Sequence, residues 1–277
     1  MLINYGCEIR ISVPKATPLI CTLDVHPDRR RDICSEAPFH TLPGAPSFMY
    51  LDGFGNQCRR LMASAGDIAL RLDGTIADSG EPDAFAPDAR EVPVELLPHY
   101  LLVFLLGSRY CETDRLSQIA WDRFGDVAPG WTRVQAISNF VHQHLTFGYP
   151  HARATRTALE AYEEKKGVCR DFAHLMIAFC RCLNIPARYT NGYLGDIGVP
   201  VDPAPMDFSA WVEVFLENRW YTFDPRHNEP RIGRIVVARG RDATDVPLIN
   251  SFGPHILKSF KVWTDERQLP ALQAVNA

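Results

Sequence analysis

Apolar side chains recur with helical spacing in the second half of the chain. The positions that share this spacing are Phe172, Leu175, Met176, Phe179, Cys180 and Leu183. This is the spacing of a helix with one buried stripe. The preceding run, residues 160–166, is polar and charged, and Gly167 interrupts any helix carried over from it. The pattern therefore predicts a new helix that begins at about Cys169 and enters the core.

Shorter patterns predict the remaining elements. Alternating or β-branched runs predict strands in the first part of the chain, at 7–13, 19–25 and 67–72. Helical spacing predicts three further helices, around 116–124, 134–141 and 157–166, the last with Thr155 or Thr157 as its cap. Three strands are expected after the Cys169 helix, at 187–193, 209–216 and 219–224. Helices followed by strands around one core are typical of an α+β fold.

The chain is expected to form two domains, since its 277 residues are enough for more than one core. Residues 81–98 are rich in proline, alanine and acidic side chains, which is typical of a connector. We expect a β-rich domain, a sheet or a sandwich, over residues 1–95. An α+β core domain is expected over residues 110–277.

The composition is that of an ordinary globular protein, with 46% hydrophobic and 22% charged residues and a net charge of −4. This balance gives no general attraction to nucleic acid or to an anionic membrane. The longest apolar run, 100–106, is far shorter than the ~20 residues that span a bilayer. Residues 1–10 lack the pattern of a secretory leader, so a cytoplasmic location with free thiols is expected.

The cysteines suggest one site of chemistry. The eight cysteines form no CxxC pair, so neither a zinc site nor a disulfide framework is expected. Cys169 is expected in the first turn of its helix, where unpaired N–H groups and the helix dipole favour a thiolate. A buried structural thiol is the common alternative for a lone cysteine. The position of Cys169 at a helix start, two residues after Gly167, favours the nucleophile.

The last two predicted strands should form a hairpin that meets this cysteine. They are separated by two residues, which predicts a tight turn with Leu216 opposite Arg219. Alternation along the paired strands then puts Ser209 and Asp224 on one face as diagonal neighbours. A base at position 209 would therefore be oriented by the Asp224 carboxylate, but residue 209 is serine.

Several ordered motifs resemble the transglutaminase-like superfamily, a papain-related group of cysteine enzymes. The matching segments are GVCRDFAHL at 167–175, IPARY at 185–189, GY at 192–193, AWVEV at 210–214 and WYTFDP at 220–225. Residues 108–116 and the β-rich first part resemble the N-terminal region of bacterial members. The resemblance implies a papain-like α+β core preceded by a β-sandwich-like domain. It also implies a triad of Cys, His and Asp, with Cys169 as nucleophile, Asp224 as orienting acid, and Ser209 where the family carries histidine.

The serine changes the expected chemistry, because it cannot take up and return a proton near neutral pH. In one interpretation His227 is a displaced base, although strand alternation opposes this unless Pro225 ends the strand. In a second, the fold keeps the pocket and Cys169 but has lost efficient turnover. In a third, Ser209 is an introduced inactivating change.

Two functions follow from the resemblance. The first is an enzyme in which Cys169 attacks an amide carbonyl, forms a thioester and passes the acyl group to water or an amine. That enzyme would be a cysteine peptidase, another amide hydrolase or a transglutaminase, with a peptide or protein substrate and no metal or organic cofactor. The backbone N–H of Cys169 would be one oxyanion donor. The second is a non-catalytic module that binds a peptide or a partner protein in the same cleft.

Overall fold

A computed structural model describes residues 1–267 of the chain. This part contains four α-helices: α1 (Thr113–Phe124), α2 (Trp131–His144), α3 (Ala158–Glu164) and α4 (Cys169–Cys182). Its first seven strands are β1 (Leu2–Val13), β2 (Thr17–Cys21), β3 (Ile33–Glu36), β4 (His40–Leu42), β5 (Ser47–Leu51), β6 (Gln57–Ala63) and β7 (Gly66–Ala77). Its later strands are β8 (Thr146–Phe147), β9 (Lys166–Gly167), β10 (Ala187–Tyr193), β11 (Ser209–Leu216), β12 (Arg219–Phe223), β13 (Ile235–Gly240), β14 (Ile249–Ser251) and β15 (Ile256–Glu266).

The elements around the predicted nucleophile agree closely with the sequence pattern. Strands β10 and β11 have the predicted bounds, and Leu216 lies opposite Arg219 in the hairpin of β11 and β12. Thr157 caps α3: its hydroxyl accepts from the N–H of Glu160 at 3.3 Å, and the Glu160 carboxylate accepts from the N–H of Thr157 at 2.9 Å. This reciprocal pair satisfies two N–H groups that a helix start otherwise leaves open.

Helix α4 is the centre of the α+β part. It packs against β10 and β11 on one side and against the other three helices on the other. The four strands of this sheet lie in the order β12-β11-β10-β13, all antiparallel. The expected single buried stripe is wrong, because every residue from Asp171 to Cys182 is buried. The polar residues on its other sides are buried with partners; Arg181, for example, donates to the carbonyl of Ala187 at 2.9 Å.

Two antiparallel sheets form the N-terminal part. One has the order β15-β1-β7-β3, with β4 also paired to β7, and the other has the order β14-β2-β6-β5. Strands β14 and β15 therefore pair with the N-terminal sheets, although the sequence placed them in a core domain over 110–277. The division into residues 1–95 and 110–277 stays a prediction; β15, which falls in its second range, pairs with β1. Buried apolar residues of both parts also form one continuous cluster.

The predicted connector is packed against the α+β part. The Asp83 carboxylate accepts from Arg234 at 2.9 Å and from the backbone N–H of Arg231 at 3.0 Å. Residues 81–98 thus contribute a charge to the sheet that carries the predicted site. Across residues 1–267, no helix is both long enough and apolar enough to cross a membrane.

Candidate active site

A cavity of about 360 Å³ opens at the start of α4. Cys169, Ser209 and His227 all line it. The loop 194–208, between β10 and β11, supplies much of one wall, and the end of β15 supplies another part. Asp224 is buried behind His227 and bonds to it, so the structure brings the four predicted site residues to one place.

The start of α4 is held by a buried ion pair. The Asp171 carboxylate accepts from the backbone N–H of Val168 at 2.9 Å and from Arg156 at 3.0 Å. Gly167 permits this arrangement, because a Cβ atom there would lie 2.6 Å from the Cβ of Asp171. Cys169 is the first residue of the helix and half-buried, with its side chain in the cavity.

The surroundings of the Cys169 thiol favour its neutral form. Burial and the carboxylate of Asp207 raise the pKa of this thiol to about 11, while Arg226 and the backbone N–H of Ala210 act in the opposite direction. The helix start by itself favours a thiolate, but the cost of burying the charge acts against it and is larger. Within residues 1–267, no imidazole nitrogen forms a hydrogen bond with the sulfur.

His227 is placed by a turn that follows β12. The last pair of the β11–β12 ladder is Val212 with Phe223, so strand alternation no longer applies beyond it. The Asp224 carboxylate accepts from the N–H of Arg226 at 3.1 Å and from the N–H of His227 at 3.2 Å. This turn brings the Nδ1 of His227 to 2.9 Å from Oδ2 of Asp224. An aspartate that accepts from backbone N–H groups two and three residues later is a known turn former.

Asp224 is an ionised, fully engaged carboxylate. Burial by itself would raise the pKa of Asp224, but the Arg234 guanidinium, with its Nη2 at 3.0 Å, and the hydrogen bonds from His227 lower it well below its usual range. An ionised carboxylate can only accept, so Nδ1 of His227 carries a proton; in the neutral imidazole, Nε2 is then the acceptor. Asp224 and Arg234 together fix the tautomer that a general base requires.

Ser209 occupies the first position of β11 and lies opposite Gly192 of β10. Its side chain is buried at the cavity wall. The predicted diagonal relation between Ser209 and Asp224 would require strand pairs beyond Val212 and Phe223, where the β11–β12 ladder ends. The described residues contain no set of three or more His, Cys, Asp or Glu side chains arranged to hold a metal ion.

Sequence reasoning missed three charged residues of the site. Arg234 bridges Asp83 and Asp224, and no motif in the sequence predicts this. Asp207 and Arg226 act on the sulfur but belong to no recognised pattern. Their proximity to Cys169 depends on the path of a long loop and a turn, which leaves no periodic signal. The turn itself was readable, since Asp-Pro is a frequent turn start.

Comparisons with known proteins agree with this architecture. Residues 122–225 match the model of the transglutaminase-like superfamily. The crystal structure of a candidate cysteine protease from Cytophaga hutchinsonii is similar with a TM-score of 0.82 and 26% identity, covering 98% of this chain and 93% of that one. The uncharacterized protein ML0607 of Mycobacterium leprae is 27% identical over 238 residues, which are 74% of this chain and 76% of its own length. Rv2569c of Mycobacterium tuberculosis is 29% identical over 149 residues, 49% of this chain and 46% of its own.

These likenesses confirm the predicted family resemblance and the predicted fold class. The α+β part is a transglutaminase-like core, and antiparallel sheets precede it.

Proposed function

From the transglutaminase-like domain that this chain carries, we propose that it is a cysteine enzyme that hydrolyses amide bonds in peptides or proteins. The likeness to a candidate cysteine protease over almost the whole chain supports this class. One observation carries the assignment of residues. His227 lines the cavity that holds Cys169 and is bonded to Asp224 at 2.9 Å, so a base with an orienting acid is present although Ser209 is not a histidine.

In this mechanism the Cys169 sulfur attacks the amide carbonyl while the thiol proton passes to Nε2 of His227. The tetrahedral oxyanion is held by the backbone N–H of Cys169 at the helix start. As the C–N bond breaks, His227 returns the proton to the amine, which leaves, and a thioester remains. Water then attacks the thioester and gives a proton to His227, which returns it to the sulfur as the acid leaves. An amine in place of water would give acyl transfer.

The neutral thiol makes the base essential. With a pKa of about 11, Cys169 carries almost no negative charge at neutral pH, so its proton has to be removed during attack. Ser209 cannot remove it, and the displaced base is therefore the interpretation of the three that the proposal adopts. A cytosolic location is part of the same proposal, because all eight cysteines are free thiols.

Removal of His227 tests the proposal. His227→Ala is expected to lower the rate of cleavage of a fluorogenic peptide-amide library by about 10²- to 10⁴-fold. His255→Ala is a matched control, since His255 is exposed and lies outside the cavity. Cys169→Ala gives the baseline without a nucleophile. Equal cleavage by wild type and His227→Ala, with Cys169→Ala inactive, would remove His227 from the mechanism.

The raised pKa of Cys169 also favours a second candidate, a peptide-binding module that keeps the cleft without turnover. Substitution Ser209→His separates the two. Restoring an imidazole on β11 is expected to add little to an activity that His227 already supports. If cleavage of the library appears only in Ser209→His, the natural chain is a binding module. Iodoacetamide alkylation across pH complements this test, because a thiolate formed only with His227 present indicates an enzyme.

A further inference from the structure

The cavity beside Cys169 is lined by more carboxylates than cations. Its carboxylates are Asp196, Asp202, Asp207, Asp265 and Glu266. Its permanent cations are Arg226 and Arg231. The chain as a whole carries a net charge of only −4, so the negative charge is concentrated here. A concave site with one sign of charge and low-dielectric walls attracts ligands of the opposite sign.

Most of these carboxylates form no ion pair within the part of the chain that the structure describes. Arg231 is engaged by Asp196 at 3.6 Å and by the carbonyl of Gly195 at 3.0 Å. Arg226 lies over the ring of Phe147, 4.0 Å from its centroid. The remaining four carboxylates form no ion pair within residues 1–267. We call these four, Asp202, Asp207, Asp265 and Glu266, the acidic wall.

Apolar side chains complete the same cavity. Leu194, Ile197, Met206 and Phe208 line it together with the acidic wall. Lysine and arginine bury their methylene stems against apolar surface and hold the charged head at a polar group. A volume of about 360 Å³ is within the range of sites that enclose organic ligands. The cavity therefore suits a long side chain with a terminal cation.

A buried hydroxyl supplies independent support for a ligand with N–H donors. Thr264 is 1% exposed and lines the cavity, and its Oγ1 has no hydrogen-bond partner within the described part of the chain. A buried polar group without a hydrogen-bond partner destabilises the folded state. A hydroxyl oxygen accepts from an ammonium or guanidinium group, so a basic ligand would satisfy it.

We propose that the cleft binds its peptide through a lysine or arginine side chain, seated between the acidic wall and the apolar residues next to Cys169. The proposal rests on the proposed function, since it names the substrate class of the same cleft. It has a chemical consequence for the nucleophile. Asp207 is the charged group that most strongly raises the pKa of the Cys169 thiol, and a cation beside Asp207 would offset that effect. Binding of the basic side chain would thereby favour loss of the thiol proton.

The experiment uses two thiol reagents of opposite charge. Cationic 2-(trimethylammonio)ethyl methanethiosulfonate and anionic 2-sulfonatoethyl methanethiosulfonate both form a disulfide with a thiolate and release methanesulfinate. Their rates are measured by mass spectrometry at Cys169 and, in the same chain, at Cys34, which is exposed. The ratio of cationic to anionic rate is expected to be about tenfold or more higher at Cys169 at low ionic strength, and to fall with added salt.

Two variants locate the effect. Asp207→Asn is expected to lower the rate ratio at Cys169 several-fold, whereas Asp67→Asn, an exposed carboxylate outside the cavity, is expected to leave it unchanged. Equal ratios at Cys169 and Cys34 in the wild type, or no change in Asp207→Asn, would overturn the proposal. Labelling needs no turnover, so this result is independent of amide hydrolysis. Conversely, a charge preference with no cleavage of any peptide would support the binding of a basic side chain and contradict amide hydrolysis.

Discussion

Two aspartates of the cleft have surroundings that give them opposite properties. Asp224, in the turn after β12, is buried against Arg234 and His227, and these partners lower its pKa. Asp207, in the loop 194–208, is exposed and forms no ion pair within residues 1–267. Partial desolvation of its carboxylate at the cavity raises its pKa despite the N–H of Phe208 and the charge of Arg226.

In the proposed mechanism, this difference lets one kind of side chain serve two tasks in one cavity. The Asp224 carboxylate is saturated by groups of the protein and can only orient His227. Asp207 has capacity left for a ligand, and it raises the pKa of the nucleophile until that capacity is used. Sites that separate two carboxylates in this way commonly assign them different roles.

The same substitution at both positions should give different results. Asp224→Asn is expected to lower kcat on peptide amides by about 10²- to 10⁴-fold, because an amide no longer selects the tautomer with the proton on Nδ1. Asp207→Asn is expected instead to lower the pKa of Cys169, measured from the pH dependence of alkylation by neutral iodoacetamide. If Asp224→Asn kept full kcat, the turn would have no part in catalysis.

Removing the cation of the turn should mainly affect stability. Arg234→Met leaves the partly buried carboxylate of Asp83 and the buried carboxylate of Asp224 without their shared partner. The free energy of unfolding is expected to fall by about 3–5 kcal/mol, measured by urea denaturation. Arg10→Met is the matched control at an exposed ion pair with Glu8, where a change of ~0–1 kcal/mol is expected. Equal losses in both variants would show that the buried bridge contributes no more than a surface pair.

Acidification should change the contributions of Asp224 and Asp207 to stability in opposite directions. The pKa of Asp224 is lower in the folded than in the unfolded chain, so its contribution to stability is present above the unfolded pKa of ~3.9 and is lost as the pH falls. Asp224→Asn should therefore lose less stability than wild type on acidification. The pKa of Asp207 is raised on folding, so this group regains stability as the pH falls. Asp207→Asn should lose more than wild type, by a smaller amount, in urea midpoints between about pH 6 and 3.5.

Much of the core was predictable because its signals are local. A two-residue loop determines the register of the hairpin, which pairs Leu216 with Arg219. The cap at Thr157 and the helix start at Cys169 follow from neighbouring residues. The protonation state of Cys169 was not predictable, because it depends on burial and on Asp207, which only the folded chain brings close.

Other features depend on contacts between distant parts of the chain. The burial of α4 on all sides requires hydrogen-bond partners for its polar residues, such as Arg156 for Asp171, and no periodic pattern predicts them. Arg234 joins Asp83 of the connector to Asp224 of the turn, an arrangement of three segments. The position of His227 is an intermediate case. Strand alternation gave the wrong face, and the turn chemistry of Asp224 and Pro225 corrects it.

The pairing of β1 with β15 has a consequence for synthesis of the protein. Ile3 lies opposite Glu266, so β1 leaves the ribosome more than 250 residues before this partner exists. At ~5–20 residues per second, the delay is on the order of tens of seconds. During translation one edge of β1 stays open to other chains, and the cavity lacks the wall that Thr264 and Asp265 supply. A nascent chain therefore has its cysteine long before it has a finished binding site.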